Sequence, residues 1–259
     1  MMITLFWNGL YSPRGKVVES VQSKSTILAI AGSLINNKPM VIFISAYIFA
    51  GLSFGMWWGL LFIYLDSYLN LGNDIAIIFI VGDVVGFISI PLWLKLVVIT
   101  SKSATAITGI ALRIAICASF LLLEPGVGWV APMAMVALMA MASACGNITS
   151  VSLLGDIADY GDLKFKGNNT AIYFATFILS FKITMGLGAG LALWIIGRFG
   201  FEVGADFQSA QAIAGLNIAF IYLPVILLAV SLFFFILTPI NKARHSVICK
   251  RLERRSVWH

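Results

Sequence analysis

Apolar runs of about 20 residues, the length that crosses the hydrocarbon core of a bilayer, recur six times between Met40 and a basic tail. They fall at about 40–65, 75–98, 104–123, 129–153, 170–197 and 212–238. Composition agrees: of 259 residues 60% are hydrophobic and 11% charged. A soluble domain is close to half apolar and about a quarter charged. The sequence therefore predicts an all-α membrane protein with six transmembrane helices.

The connections sort by charge. Arg14, Lys16, Lys24 and Lys38 precede the first span, Lys95 and Lys102 flank the second-to-third connection, and Lys164 and Lys166 lie in the fourth-to-fifth. Lys242, Arg244, Lys250, Arg251, Arg254 and Arg255 follow the sixth. The other three connections hold Asp66 and Asp74, then Glu124, then Glu202 and Asp206, with Arg198 as their only base. Basic residues on alternate loops are what six spans with both ends in the cytoplasm require. The chain thus reads as a multi-pass protein of the cell (inner) membrane. Its net charge of +6 is a topology signal, with no nucleic acid as partner, and only second a contact for anionic lipid.

The opening "MMITLFWNGLYSPRGK" has no basic residue ahead of its apolar stretch and no small-residue cleavage pattern, so it is not a secretory signal. Ser25 to Asn36 is apolar but too short to span, and reads as an amphipathic helix at the cytoplasmic surface, broken from the first span by "NNKP". Cys117, Cys145 and Cys249 have neither metal-ligand spacing nor a disulfide pattern. With no metal cluster, nucleophile elbow or paired mid-membrane carboxylates, an enzyme is not expected, nor is a bound cofactor or structural metal.

Three charges fall inside spans: Asp83, Arg113 and Lys182. A charge at that depth costs several kcal/mol unless it is paired or faces water. Asp83 and Arg113 lie on consecutive spans, about 17 and about 13 residues from the turn near Thr100, a depth difference of about 6 Å at 1.5 Å per residue. An internal ion pair and a functional role are both open to them. Lys182 either pairs with Asp83 or has its partner on another chain or domain. Glycines at 51, 55 and 59, at 82 and 86, and at 186 and 190 have the small-xxx-small spacing of closely packed helices.

At the seam between the fourth and fifth spans, "GDIADYGDLKFKGNNTAIYF" concentrates Asp156, Asp159, Asp162, Lys164 and Lys166. Either this is a solvated loop of mutually neutralising charges, or it is half of a gate. Aspartates at a helix C-terminus oppose the helix dipole, so a cation from an opposing bundle would stabilise Asp156 and Asp159.

The stretch "LLGDIADYGDLKFKGNNTAIYFATFILSFKITMGLGAGLALWIIGRFGF" resembles the signature of the glycoside–pentoside–hexuronide:cation symporters, the melibiose-permease-like branch of the major facilitator superfamily. That pattern runs A-D-x-x-D-Y-G-E-x-K-x-G, a basic patch, a glutamate, an aromatic-rich helix, and a lysine followed by small residues. Asp156, Asp159, Tyr160, Gly161 and Lys164 match its first part, and Lys182 falls on the lysine. "NNKPM", "ISIPLWLKL", "YLPVILL" and "PINKARHSVICKRLERR" are weaker echoes. The family's basic patch and glutamate are replaced by Gly167, Asn168, Asn169 and Thr170, and the turn "VVITSKSATA" lacks the family's glycine.

The resemblance implies one bundle of a major-facilitator-type transporter, the C-terminal half of a protein with twice as many spans. Residues 1–39 would then be the end of a preceding span plus a central cytoplasmic loop, 40–240 the six-span bundle, and 241–259 a basic cytoplasmic tail. The implied partner is an N-terminal six-helix half whose acids bind the coupling cation, Na+ or H+, and the solute, a glycoside or related sugar. Lys182 would face those acids. Asp83, Arg113, Trp57, Trp58 and Asn147 are cavity candidates, the tryptophans to stack on a sugar face and Asn147 to hydrogen-bond it. Against that, tryptophan also packs at lipid interfaces and asparagine also bridges helices. Asp156, Asp159, Tyr160 and Lys164 would close the inward mouth. A half-size homodimeric transporter, a lysolipid-type carrier and a non-transporting scaffold or truncated remnant are the alternatives.

Overall fold

The computed structural model describes residues 32, 34–165, 170–205 and 207–237. Most of the expected amphipathic helix, Lys166 to Asn169, Asp206 and the basic tail lie outside the described residues. Among those described there is no strand, and six helical spans are long and apolar enough to cross a membrane: Lys38–Tyr68, Gly72–Ile99, Lys102–Leu122, Val130–Phe165, Thr170–Arg198 and Ala210–Ile236.

The helix boundaries have local causes. Asn37 caps the first span by accepting from the Met40 amide, and Pro39 occupies a first-turn position where its missing N–H costs nothing. Ser101 and Ser209 cap the third and sixth spans in the same way, on the amides of Ala104 and Ala212. Pro91 cannot donate to the preceding turn, and the second span is two helices, Ile75–Ile88 and Ile90–Ile99, joined at Ser89.

The fourth span departs from expectation. It continues as helix to Phe165, so the charged stretch from Asp156 to Lys164 is helical and not a loop. Its charges hide an apolar stripe: Leu153, Leu154, Ile157, Ala158 and Gly161 recur at helical period and are all buried. Thirty-six residues reach about 54 Å at 1.5 Å per residue, against a hydrocarbon core of about 30 Å. The charged end therefore projects beyond the apolar slab.

The first span packs most extensively on the fifth, and the second on the fourth. The first also packs on the sixth, the third on the fourth, and the third on the sixth. Exchanging the first three spans with the last three maps this set of pairings onto itself, the internal symmetry of an inverted repeat. The first and fourth spans meet mainly through side chains, Met40, Phe43 and Tyr47 sharing one apolar cluster with Leu153, Leu154 and Ile157.

The closest approach is between the first and fifth spans. A Cβ at Gly55 would overlap the Met185 carbonyl, and one at Gly188 would overlap the carbonyl of Leu52. Glycine at both positions lets the two backbones meet directly, which in lipid is a main source of helix association. Aromatic residues fill the two ends of the bundle: Trp57, Tyr64, Phe120 and Phe220 at one, Phe43, Tyr47 and Phe235 at the other.

Candidate functional site: a membrane cleft and a charged helix end

The first, second and fourth spans enclose a cleft of about 330 Å³. Phe54 and Trp58 come from the first span, Asp83, Gly86 and Phe87 from the second, and Ser143 and Asn147 from the fourth. Three candidates from different spans, Trp58, Asp83 and Asn147, therefore share one wall. Trp58 is 37% exposed and held by a stacked contact with Phe79 at 6.3 Å and a tilted one with Phe54 at 5.9 Å. An open aromatic face beside a carboxylate, a carboxamide and a hydroxyl can stack on and hydrogen-bond a polar ring.

The neighbouring tryptophan does something else. Trp57 is 3% exposed, stacks on Phe220 at 5.7 Å and packs edge-on against Phe120. Its ring belongs to the core, not to the cleft wall. One residue advances a helix by about 100°, and the sequence carried that signal: Trp57 shares spacing with the buried Leu60, Leu61 and Tyr64, whereas Trp58 shares it with Phe54.

Asp83 and Arg113 form no ion pair with each other. Asp83 opens into the cleft, while Arg113 lies among the first, third, fourth and sixth spans with its guanidinium 5.6 Å above the Phe54 ring. Similar depth brings two side chains to one level but does not turn them toward each other. Lys182, near the middle of the fifth span, is exposed and makes no ion pair with a described residue, so the pairing with Asp83 does not form either.

At the charged end, Asp156 is buried and paired. Lys102 Nζ donates to Asp156 Oδ1 at 2.5 Å and to the Ser152 carbonyl at 3.2 Å. The expected cation from an opposing bundle is thus already supplied to Asp156 by the third span of this chain. The dipole argument also lapses there, because the helix runs nine residues past Asp156 to Phe165 and the dipole acts only within the last turn. Lys102 is a site residue that the sequence reading placed in a connection and nothing more. The signal was available, since the topology puts it on the same side of the membrane as Asp156.

Lys164 and Asp162 are tied in as well. Lys164 Nζ donates to the Asn36 carbonyl at 2.8 Å and lies over the rings of Phe165 and Tyr160 at 5.0 and 5.9 Å. Asn37 Nδ2 reaches the Ile157 carbonyl at 3.5 Å, and the Thr170 hydroxyl reaches Asp162 at 3.3 Å. The first, third, fourth and fifth spans are therefore cross-linked by polar contacts at this one end. Among the described residues no group of three or more His, Cys, Asp or Glu side chains is arranged to hold a metal ion.

A six-span bundle of inverted-repeat design, with a cleft at membrane depth whose mostly apolar wall carries a carboxylate, a carboxamide and a hydroxyl, has the architecture of a secondary transporter. A family model described as MFS/sugar transport protein matches residues 7–242, and the chain belongs to that family, one of transporters and not of enzymes. It is similar to the uncharacterized symporter YjmB of Bacillus subtilis (strain 168), 26% identical over 93% of this chain and 52% of the relative. It is also similar to the sodium-dependent lysophosphatidylcholine symporter 1-A of Danio rerio, 23% identical over 85% of this chain and 41% of the relative. The chain spans about half the length of the curated relatives it matches.

Proposed function

We propose that this chain supplies the C-terminal six-span bundle of a melibiose-permease-like symporter of the cell (inner) membrane, both ends of the bundle being cytoplasmic. It moves a glycoside or related sugar, coupled to Na+ or H+, by alternating access against an N-terminal six-span half. The observation that carries this reading is the convergence of Trp58, Asp83 and Asn147 on one cleft wall. A volume of about 330 Å³ is at the lower end of the roughly 300–1,000 Å³ typical of ligand pockets, as suits one wall of a site completed by a second bundle.

The relatives' names support the coupling, both being symporters and one sodium-dependent. The carboxylate, carboxamide and hydroxyl on the cleft wall favour a polyol over the acyl chain of a lysolipid. Trp58 stacks on the sugar, Asn147 orients it, and Asp83 with Lys182 sets the field felt by the cation and by the acids of the other half. Arg113 contributes only from behind Phe54. Asp156 with Lys102, Asp159, Tyr160 and Lys164 form this bundle's side of the inward gate.

The test is uptake of labelled glycosides into vesicles holding this chain together with an N-terminal bundle, under imposed Na+ or H+ gradients. Uptake should follow one of the gradients. Trp58→Ala should weaken half-saturation by about 5- to 150-fold, the loss of about one to three kcal/mol of ring stacking, at unchanged protein level. Trp57→Ala should instead lower the amount of folded protein. Uptake that ignores both gradients, or is equally affected by the two substitutions per folded molecule, overturns the reading.

A further inference from the structure

Arg113 is a charge at bilayer depth that no described side chain neutralises. It sits midway along the third span, and its Nε is buried without a hydrogen-bond partner among the described residues. The residue as a whole is partly exposed, it forms no ion pair with a described residue, and its guanidinium lies over the face of Phe54. A cation–π contact is worth about 0.5–2 kcal/mol, well short of what a guanidinium loses on leaving water. Beside it is a void of about 30 Å³ between the first, third, fourth and sixth spans, with Tyr47, Gly109, Gly146 and Thr149 in its wall. No carboxylate lines that void.

We infer that this void is a binding site for a small inorganic anion of halide size, chloride in the cell. Size selects the ligand class. A void must offer roughly 10–15 Å³ on this measure to accept one water, so about 30 Å³ admits one halide or one to two waters and excludes a sugar or an organic acid. Charge selects between those two. Waters would solvate the guanidinium but leave a net charge inside the membrane, whereas a halide cancels it at contact distance in a medium where the attraction is strong.

The donors are suited to an anion. The Thr149 hydroxyl is committed to the Cys145 carbonyl at 2.8 Å, which leaves the guanidinium as the main donor, with the Tyr47 hydroxyl close to Thr149 and Ser150. Asp83 cannot serve as the counter-ion in this conformation, because it faces the cleft beyond Phe54. The site lies wholly within this chain, so it does not depend on the transport reading or on a second bundle.

The experiment is thermal unfolding of the detergent-purified chain with chloride or bromide replaced by gluconate, which is too large for the void, at constant ionic strength. Either halide should raise Tm progressively with concentration, by about 5–11 °C at a hundredfold excess over its dissociation constant. Arg113→Gln removes the charge, and Ala50→Val fills the void while keeping it, since Ala50 is a buried residue of its wall. Both variants should lose the halide response. Equal Tm in chloride and gluconate for the unsubstituted chain overturns the proposal, whether or not the variants fold. So does a halide response that persists in either variant, because the ion would then be acting elsewhere on this basic chain.

Discussion

Gly55→Ala lowers Tm by about 2–12 °C, and Gly55→Val prevents recovery of folded chain from detergent extracts. The added Cβ would overlap the Met185 carbonyl, with the Met185 Cα only 2.9 Å away. These are backbone atoms, so no rotamer change relieves the contact and the first and fifth spans must separate. Overpacking a core costs about 1–3 kcal/mol, and for a chain of this size about 2–4 °C of Tm accompanies each kcal/mol. Spans in lipid are held by close packing and not by exclusion of water, so the loss spreads along the helix pair to the reciprocal contact of Gly188 with Leu52. Gly186→Ala is the matched control: a Cβ there meets nothing within 4 Å, and Tm should stay within a degree or two of the parent. Equal shifts at Gly55 and Gly186 would mean that the close approach of these spans does not hold the bundle together.

Lys102→Met destabilises the bundle more than Asp156→Asn, and the double variant Lys102→Met/Asp156→Asn recovers most of the loss. The asymmetry follows from burial: the Asp156 side chain is 9% exposed and that of Lys102 is 32%. Losing the lysine takes the ion-pair partner from a carboxylate with little access to water, at a cost of up to about 3 kcal/mol. Losing the aspartate leaves an ammonium that solvent still screens and the Ser152 carbonyl still accepts, at about 1 kcal/mol. Removing both charges removes the unpaired ammonium and the unneutralised carboxylate together, so a double-mutant cycle in Tm or denaturant midpoint should give a coupling of about 1–3 kcal/mol. Additive losses would overturn the pairing.

That pairing also changes how a gate is to be tested. Transport lost on neutralising Asp156 mixes folding with gating and has to be counted per folded molecule. Asp159, partly exposed one turn further on, is engaged in the fold as well and is counted in the same way. A gating role predicts that turnover of Asp159→Asn per folded molecule falls, whereas a purely structural charge predicts that it is unchanged.

The six spans and the alternation of basic loops were legible because hydropathy and charge are properties of each residue that survive averaging over a window. Every span lies near its expected run except the fourth. There the charges Asp156, Asp159 and Asp162 masked an apolar stripe at Leu153, Leu154, Ile157, Ala158 and Gly161 that a helical period would have revealed. The family signature drew attention to the right end of the bundle but not to Lys102, which joins Asp156 across 54 residues.

Sequence alone determined that this chain lives in a membrane as helices, how many, and which charges fall at bilayer depth. Only the tertiary structure decided which way those residues turn. Trp57 and Trp58 are adjacent, yet one is core and the other cleft wall; Asp83 and Arg113 are of similar depth, yet Phe54 lies between the cleft and the guanidinium. The physical reason is that rotation about a helix axis is set by which neighbours the glycines at Gly55 and Gly188 admit. That contact joins residues more than a hundred positions apart, beyond the reach of any local pattern.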